Sequence, residues 1–325
     1  MNRTYLAVRR RLIQLVPVVL GIIIINFLLL NLTPGDLVDV MAADEQITEP
    51  EVLENLRAEY GLDQPIYVQL FNYVWNILTL DMGYSYRHNQ PVFEVIVDRL
   101  PATLILMAAS MTLALIVGVL AGVVASLKVN TLYDNVISII AIIFFAAPSF
   151  WIGLMMMVLF AVKLRLLPVG GMFTIGGDYS FFGQIWDLTR HLIMPTLALG
   201  LFYAAIYARV MRASMLEIFG LDFIRVARAK GLSQGRVAFK HVLRNALLPV
   251  VTLFGLQLGT MLAGAVVVES VFSWPGLGPL VFDAVLGRNF PVVMGVLLFS
   301  SVLVVIANLV VDLTYMRLDP RIELR

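Results

Sequence analysis

The residues able to do chemistry are few and scattered. Three histidines, His88, His191 and His241, are far apart in the chain, and no HExxH pairs any of them for a metal. No GxSxG supplies a nucleophile elbow, and no GxxxxGK[ST] supplies a phosphate cradle. The nearest glycine-bearing stretch, Gly231-Leu232-Ser233-Gln234-Gly235-Arg236, has neither the spacing nor the lysine. Cysteine is absent, which removes disulfides, thiolate catalysis and cysteine metal sites. The residues therefore point to no catalytic centre, no metal and no cofactor held by this chain, and any energy source must be a partner.

One short stretch is shaped for a partner. Asp222-Phe223-Ile224-Arg225-Val226-Ala227-Arg228-Ala229-Lys230-Gly231 reads as a helix, with Asp222 as its N-cap and Gly231 as its stop. Phe223, Ile224, Ala227 and Gly231 fall on one face, with Arg225, Arg228 and Lys230 largely on the other. Two readings stand: a helix pressed into a groove on another protein, or a basic helix lying on anionic lipid headgroups.

The elements around it belong to a membrane. Of 325 residues 60% are hydrophobic and 14% charged, and the mean hydropathy is +0.89. Apolar runs at 12–32, 104–127, 136–162, 192–208, 246–268 and 291–313 are near or above spanning length. Backbone groups in lipid must be satisfied internally, so the expectation is an all-α integral membrane protein of six transmembrane helices. Arg3, Arg9, Arg10 and Arg11 ahead of the first run suggest a secretory signal, but the run is long enough to span and Asn31-Leu32-Thr33-Pro34 does not look like a cleavage site. It is read as the first span.

Basic residues set the orientation. With the N-terminus inside, the segment between spans four and five lies inside and carries Arg209, Arg212, Arg225, Arg228, Lys230, Arg236, Lys240 and Arg244. The segment between spans one and two then lies outside, with twelve acidic residues against Arg57, Arg87 and Arg99. Lys163 and Arg165 fall outside, against the rule, while Arg317, Arg321 and Arg325 put the C-terminus inside. The charge pattern speaks for lipid, not nucleic acid. The expected organisation is a cytoplasmic N-terminus and first span at 1–32, an extracytoplasmic segment at 33–103, a core at 104–313 with a cytoplasmic loop at 210–245, and a cytoplasmic tail at 314–325.

Within the outer segment, 51–60 has helical periodicity with Leu53 and Leu56 on one side and Gly61 as cap. The stretch 67–80, with Tyr67, Phe71, Tyr73 and Trp75, suits either an interfacial helix or ordinary packing. Pro148, Pro195 and Pro249 predict kinks or helix starts in spans three to five. Gly118 with Gly122, and Gly255 with Gly259, form small-xxx-small patterns that allow close helix packing. In span five the second reading is a substrate path lined by Gly255, Gln257, Gly259 and Met261. Glu269, Asp312 and Arg209 sit near span ends and no ionisable group is at a midplane, which weakens an ion-coupled transporter; a membrane scaffold is the other rival.

At 222–231, followed by Ala246-Leu247-Leu248-Pro249, the sequence resembles the inner-membrane permease subunits of ABC importers of the oligopeptide and dipeptide family, whose coupling loop reads similarly. Pro34-Gly35-Asp36, Gly61-Leu62-Asp63-Gln64-Pro65, Arg99-Leu100-Pro101-Ala102-Thr103-Leu104, Leu167-Pro168-Val169-Gly170-Gly171, His191-Leu192-Ile193-Met194-Pro195, Phe272-Ser273-Trp274-Pro275-Gly276-Leu277-Gly278 and Leu318-Asp319-Pro320-Arg321 match in the same order. The glutamate of the general EAA motif is missing, and Asn289 follows Arg288 where an aspartate is usual. The resemblance implies a type I importer fold in a bacterial inner membrane and a pathway shared with a second homologous permease. Two cytoplasmic ATPases, holding ATP and Mg, would dock on the coupling helix, and an external solute-binding protein would deliver cargo. Trp274-Pro275-Gly276 is then either a turn facing that binding protein or a structural turn.

Overall fold

The computed structural model describes residues 2–32, 38–39, 42, 49–59, 61–85, 87–177 and 179–318; the Pro34-Gly35-Asp36 motif, Tyr60 and Asp319-Pro320-Arg321 lie outside these. Two compact units are formed, one from described residues of 2–100 and 280–313, the other from 101–279 and 314–318.

In the first unit, helix α1 (Asn2–Leu32) carries the first apolar run, and α2 (Pro50–Glu59) and α3 (Ile66–Leu78) follow. Gly61, at φ +66°, closes α2 with its N–H on Ala58 O. Helix α3 divides its aromatics between two faces. Tyr73 meets Phe27 of α1 with ring centroids 5.7 Å apart, whereas Tyr67, Phe71 and Trp75, spaced four residues apart, are exposed. A two-stranded ribbon, β1 (Tyr84–Ser85) with β2 (Gln90–Pro91), leads into α4 (Val92–Leu127). That helix begins twelve residues before the apolar run at 104, because Val92, Val95 and Ile96 are buried by protein rather than lipid.

The second unit holds the rest of α4, then α5 (Leu132–Ala146), α6 (Ser149–Met156) with a π-helical extension Met157–Lys163, and α7 (Phe181–Phe219). The third span is not one rod: α5 and the α6 segment meet at 102°. The cause is Pro148, which forces Ala147 out of helical geometry to ψ 134° and starts a new helix at Ser149. Pro195 and Pro249 produce no such break, since the chain stays helical through both. Helix α8 (Asp222–Ala229) follows, then Gln234–Arg236 and a π-helical turn Val237–Val242 that run into α9 (Leu243–Val271). The loop expected at 210–245 is thus mostly helix. The chain continues through α10 (Leu277–Leu286) and α11 (Phe290–Leu318).

Among the described residues four helices are long and apolar enough to cross a membrane, and the bent α5–α6 pair makes a fifth. In α1 the described apolar part is Leu15–Leu29, within a continuous helix that covers the whole first expected span. Helix α4 packs on α7 through the first glycine pair. A Cβ on Gly118 would lie 2.7 Å from Ala204 O, and one on Gly122 would lie 2.6 Å from Ala208 O. Only glycine permits that approach.

Candidate functional site: a coupling helix, a knotted turn and a cleft

Helix α8 is held by its own chain through two side chains, Ile224 and Ala227, which are buried. Phe223 and Val226 are exposed. This corrects the face drawn from the sequence: Phe223 does not share the Ile224–Ala227 face, and the outward surface is apolar at Phe223 and Val226, with Arg225, Ala229 and Lys230 also exposed. The N-cap is Leu221, not Asp222, which is the first helical residue. Asp222 there complements the positive helix end and pairs with Arg225 at 3.2 Å. Gly231 ends the helix at φ +77°; its N–H reaches Arg228 O and that of Leu232 reaches Ala227 O, a Schellman closure. Arg228 lies over the Phe219 ring at 5.7 Å, tying the end of α8 to the end of α7.

Above α8, Arg212 of α7 forms a two-pronged bond with Asp134 of α5, Nε to Oδ1 at 2.6 Å and Nη2 to Oδ2 at 2.8 Å, while Asn130 N–H also reaches Oδ2. This clamp carries no motif in the sequence, where Arg212 reads only as a loop charge. Its signal is an acid in the first turn of an otherwise apolar span, which membrane burial allows only when paired.

Trp274 does not face outward. It has no exposed surface, and its indole N–H donates to Ala102 O at 2.8 Å within a cluster with Leu106, Met172, Leu188 and Leu192. Gly276 is also buried and Pro275 half-buried, so the structural-turn reading is the one these contacts fit. Leu277 N–H donates to Thr103 Oγ1, Gly278 N–H to Glu269 Oε2 at 2.7 Å, and Gly171 N–H to Phe272 O at 2.8 Å. A side chain on Gly276 would collide with the Glu269 carboxylate, and one on Gly170 with Phe272 O. Three sequence-distant motifs, at 101–104, 167–171 and 272–278, thus form one knot, which nothing in their spacing reveals. Nearby, Asp187 accepts from Thr174 N–H and Oγ1–H at 2.7 Å each, and His191 Nδ1 donates to Asp187 O at 2.8 Å. His191 is therefore structural.

In the first unit, Asn289 Nδ2 donates to Ser85 Oγ at 2.7 Å and the backbone N–H of His88 donates to the same oxygen, so the serine hydroxyl hydrogen is left for His88 Nδ1 at 2.9 Å. Burial, with Arg99 and Arg87 nearby, lowers the His88 pKa against the opposite pull of Asp283, so the imidazole is kept neutral. An aspartate at 289 could not donate this bond.

Of the four path residues expected on span five, Gln257 borders a cleft among the described residues. Met261 and Gly255 are buried and Gly259 is half-buried. The cleft, about 490 Å³, is bordered by Phe145 and Ser149 at the α5–α6 break, Leu199, Phe202, Tyr203 and Ile206 of α7, and Gln257, Thr260 and Gly264 of α9. Its size is ordinary for a small-molecule site. Phe145 stacks on Phe202 at 5.7 Å, and Thr260 Oγ1 bonds Gln257 Oε1 at 2.8 Å.

Residues 114–324 match the family described as "Binding-protein-dependent transport system inner membrane component", and residues 4–107 its N-terminal companion, "Binding-prot-dependent transport system membrane comp, N-term". The chain is 40% identical to a di/tripeptide transport system permease protein, DppB, of Pseudomonas aeruginosa, over 97% of this chain and 98% of that protein. It is 40% identical to the dipeptide permease DppB of Escherichia coli K12 over 97% of each, and 40% identical to the oligopeptide permease AppB of Bacillus subtilis over 97% of this chain and 98% of that one. Among solved structures it resembles the MetNI methionine ABC transporter in an inward-facing form, with a TM-score of 0.53 and 19% identity over 69% of this chain and 96% of that chain.

Proposed function

The chain belongs to the family of inner-membrane components of binding-protein-dependent transport systems, a multi-pass permease subunit of ABC importers whose ATP hydrolysis resides in separate subunits, and from that premise we propose that it passes short peptides or related small solutes. It forms half of the pathway, the other half coming from a second homologous permease. ATPases holding ATP and Mg seat on α8 from the cytoplasm, where both termini also lie, and an external binding protein delivers cargo to the outer segment.

The observation that carries this reading is the outward face of α8. A short helix fixed to its own chain by Ile224 and Ala227, yet presenting Phe223 and Val226 unburied among basic residues, is built to be completed by a groove. Force applied there reaches α7 through Phe219 and α5 through the Asp134–Arg212 clamp. The helices that border the cleft can then rock without chemistry in this chain.

The test is Val226→Asp in the assembled transporter reconstituted in vesicles. Val226 faces away from its own chain, so the fold is kept while a charge enters the seat. The expected result is loss of ATPase co-purification and a fall of about five- to a hundredfold in ATP-dependent dipeptide uptake, the effect of about 1–3 kcal/mol at an interface. Unchanged uptake and co-purification would remove α8 as the docking element.

A further inference from the structure

The cleft between α5–α6, α7 and α9 is lined without a single charge, yet one cation stands at its edge. Arg209 follows Phe202 and Ile206 on the same face of α7, at i+7 and i+3, and its guanidinium lies over the ring of Phe145 at 4.8 Å. Phe145 is itself stacked on Phe202 with planes 13° apart, so two cleft-lining rings and the guanidinium are layered. Stacking uses the face of a guanidinium and leaves its N–H edge open. Among the described residues no hydrogen bond or ion pair engages that edge. Arg212, one turn on, is by contrast consumed by Asp134.

We propose that this cleft is a contact site for peptide cargo in transit and that Arg209 receives the free C-terminal carboxylate of the peptide. A carboxylate meets a guanidinium edge through two parallel N–H···O bonds, which a carboxamide cannot reproduce. The neutral polar groups of Gln257, Thr260 and Tyr203 suit the uncharged peptide bond, and the aromatic rings suit its side chains. The volume, about 490 Å³, suits a short peptide rather than a folded chain. Arg209 is a specificity residue in this account, and the account rests on the peptide-permease reading above.

The assembled transporter, with its binding protein, is reconstituted in vesicles, and ATP-dependent uptake of dialanine is measured beside dialanine amide. The readout is the ratio of acid to amide, taken with the same binding protein throughout so that its own preference cancels between variants. Arg209→Gln is expected to lower that ratio roughly tenfold, the difference expected for a charge-assisted pair against a neutral one, and Arg209→Lys to restore part of it. Arg209 is exposed, so neither change opens a core void. In the unaltered complex, a diazirine-bearing dipeptide acid is expected to label Phe145, Phe202 or Gln257 during turnover. An unchanged ratio in Arg209→Gln, as for an arginine that only anchors on lipid headgroups, overturns the proposal, as does labelling confined to other helices. Absence of ATP-driven uptake of both probes by the unaltered complex instead removes the peptide-permease reading, and this proposal with it.

Discussion

Trp274 owes its burial to one hydrogen bond as much as to its size. Its indole N–H finds its acceptor in Ala102 O in a site closed to water, so Trp274→Phe keeps most of the apolar contact and loses that one bond, while Ala102 O keeps its place in the α4 helix. The expected loss is about 0.5–1.5 kcal/mol, read as a lower unfolding temperature of the solubilised protein. His88 yields a pH dependence of definite sign. Folding holds its imidazole below the ordinary value of 6.5, so the unfolded chain binds the proton more readily. The stability it contributes is complete above that pH and is lost as pH falls toward the folded-state value. A protonated Nδ1 can no longer accept from Ser85, and His88→Gln is expected to flatten the fall in unfolding temperature between neutral and mildly acidic pH.

The α4–α7 contact depends on Gly118 and Gly122, where a Cβ would stand 2.6–2.7 Å from backbone oxygens that cannot retreat. Gly122→Leu is expected to cost about 1–3 kcal/mol or more and to lower the yield of folded protein, whereas Gly21→Leu, with open space at its Cβ, is expected to leave both unchanged. Thermal unfolding of the two variants separates them. The glycine spacing was legible in the sequence as a packing signal; the partner helix was not, because any apolar span can receive such a groove. The break at Pro148 was legible as a helix start, but its 102° angle was not, since proline fixes only its own φ and the geometry of the residue before it. For α8 the boundaries and the Gly231 stop could be read, while the buried face could not. With only eight residues and apolar side chains on two flanks, the choice between Phe223 and Ile224 as the inward residue belongs to the surface beneath them.

For the whole molecule, orientation rests on charge and is directly measurable. The chain has no cysteine, so single cysteines report sidedness without background. Asp63→Cys is expected to react with a membrane-impermeant maleimide in intact spheroplasts and Lys240→Cys only in inverted vesicles; both positions are exposed. The reverse pattern would invert the topology and place α8 outside. What the sequence determined by itself is the membrane class, the helical content, the lack of a power source and the family, because hydropathy, charge segregation and motif order are properties of the linear chain. What only tertiary structure decided is which residues stand together: the knot of Ala102, Gly171 and Trp274, the clamp of Asp134 on Arg212, and the arginine at the edge of an uncharged cleft. Those depend on residues about 60 to 170 positions apart choosing one another, and a linear pattern does not encode which apolar face meets which.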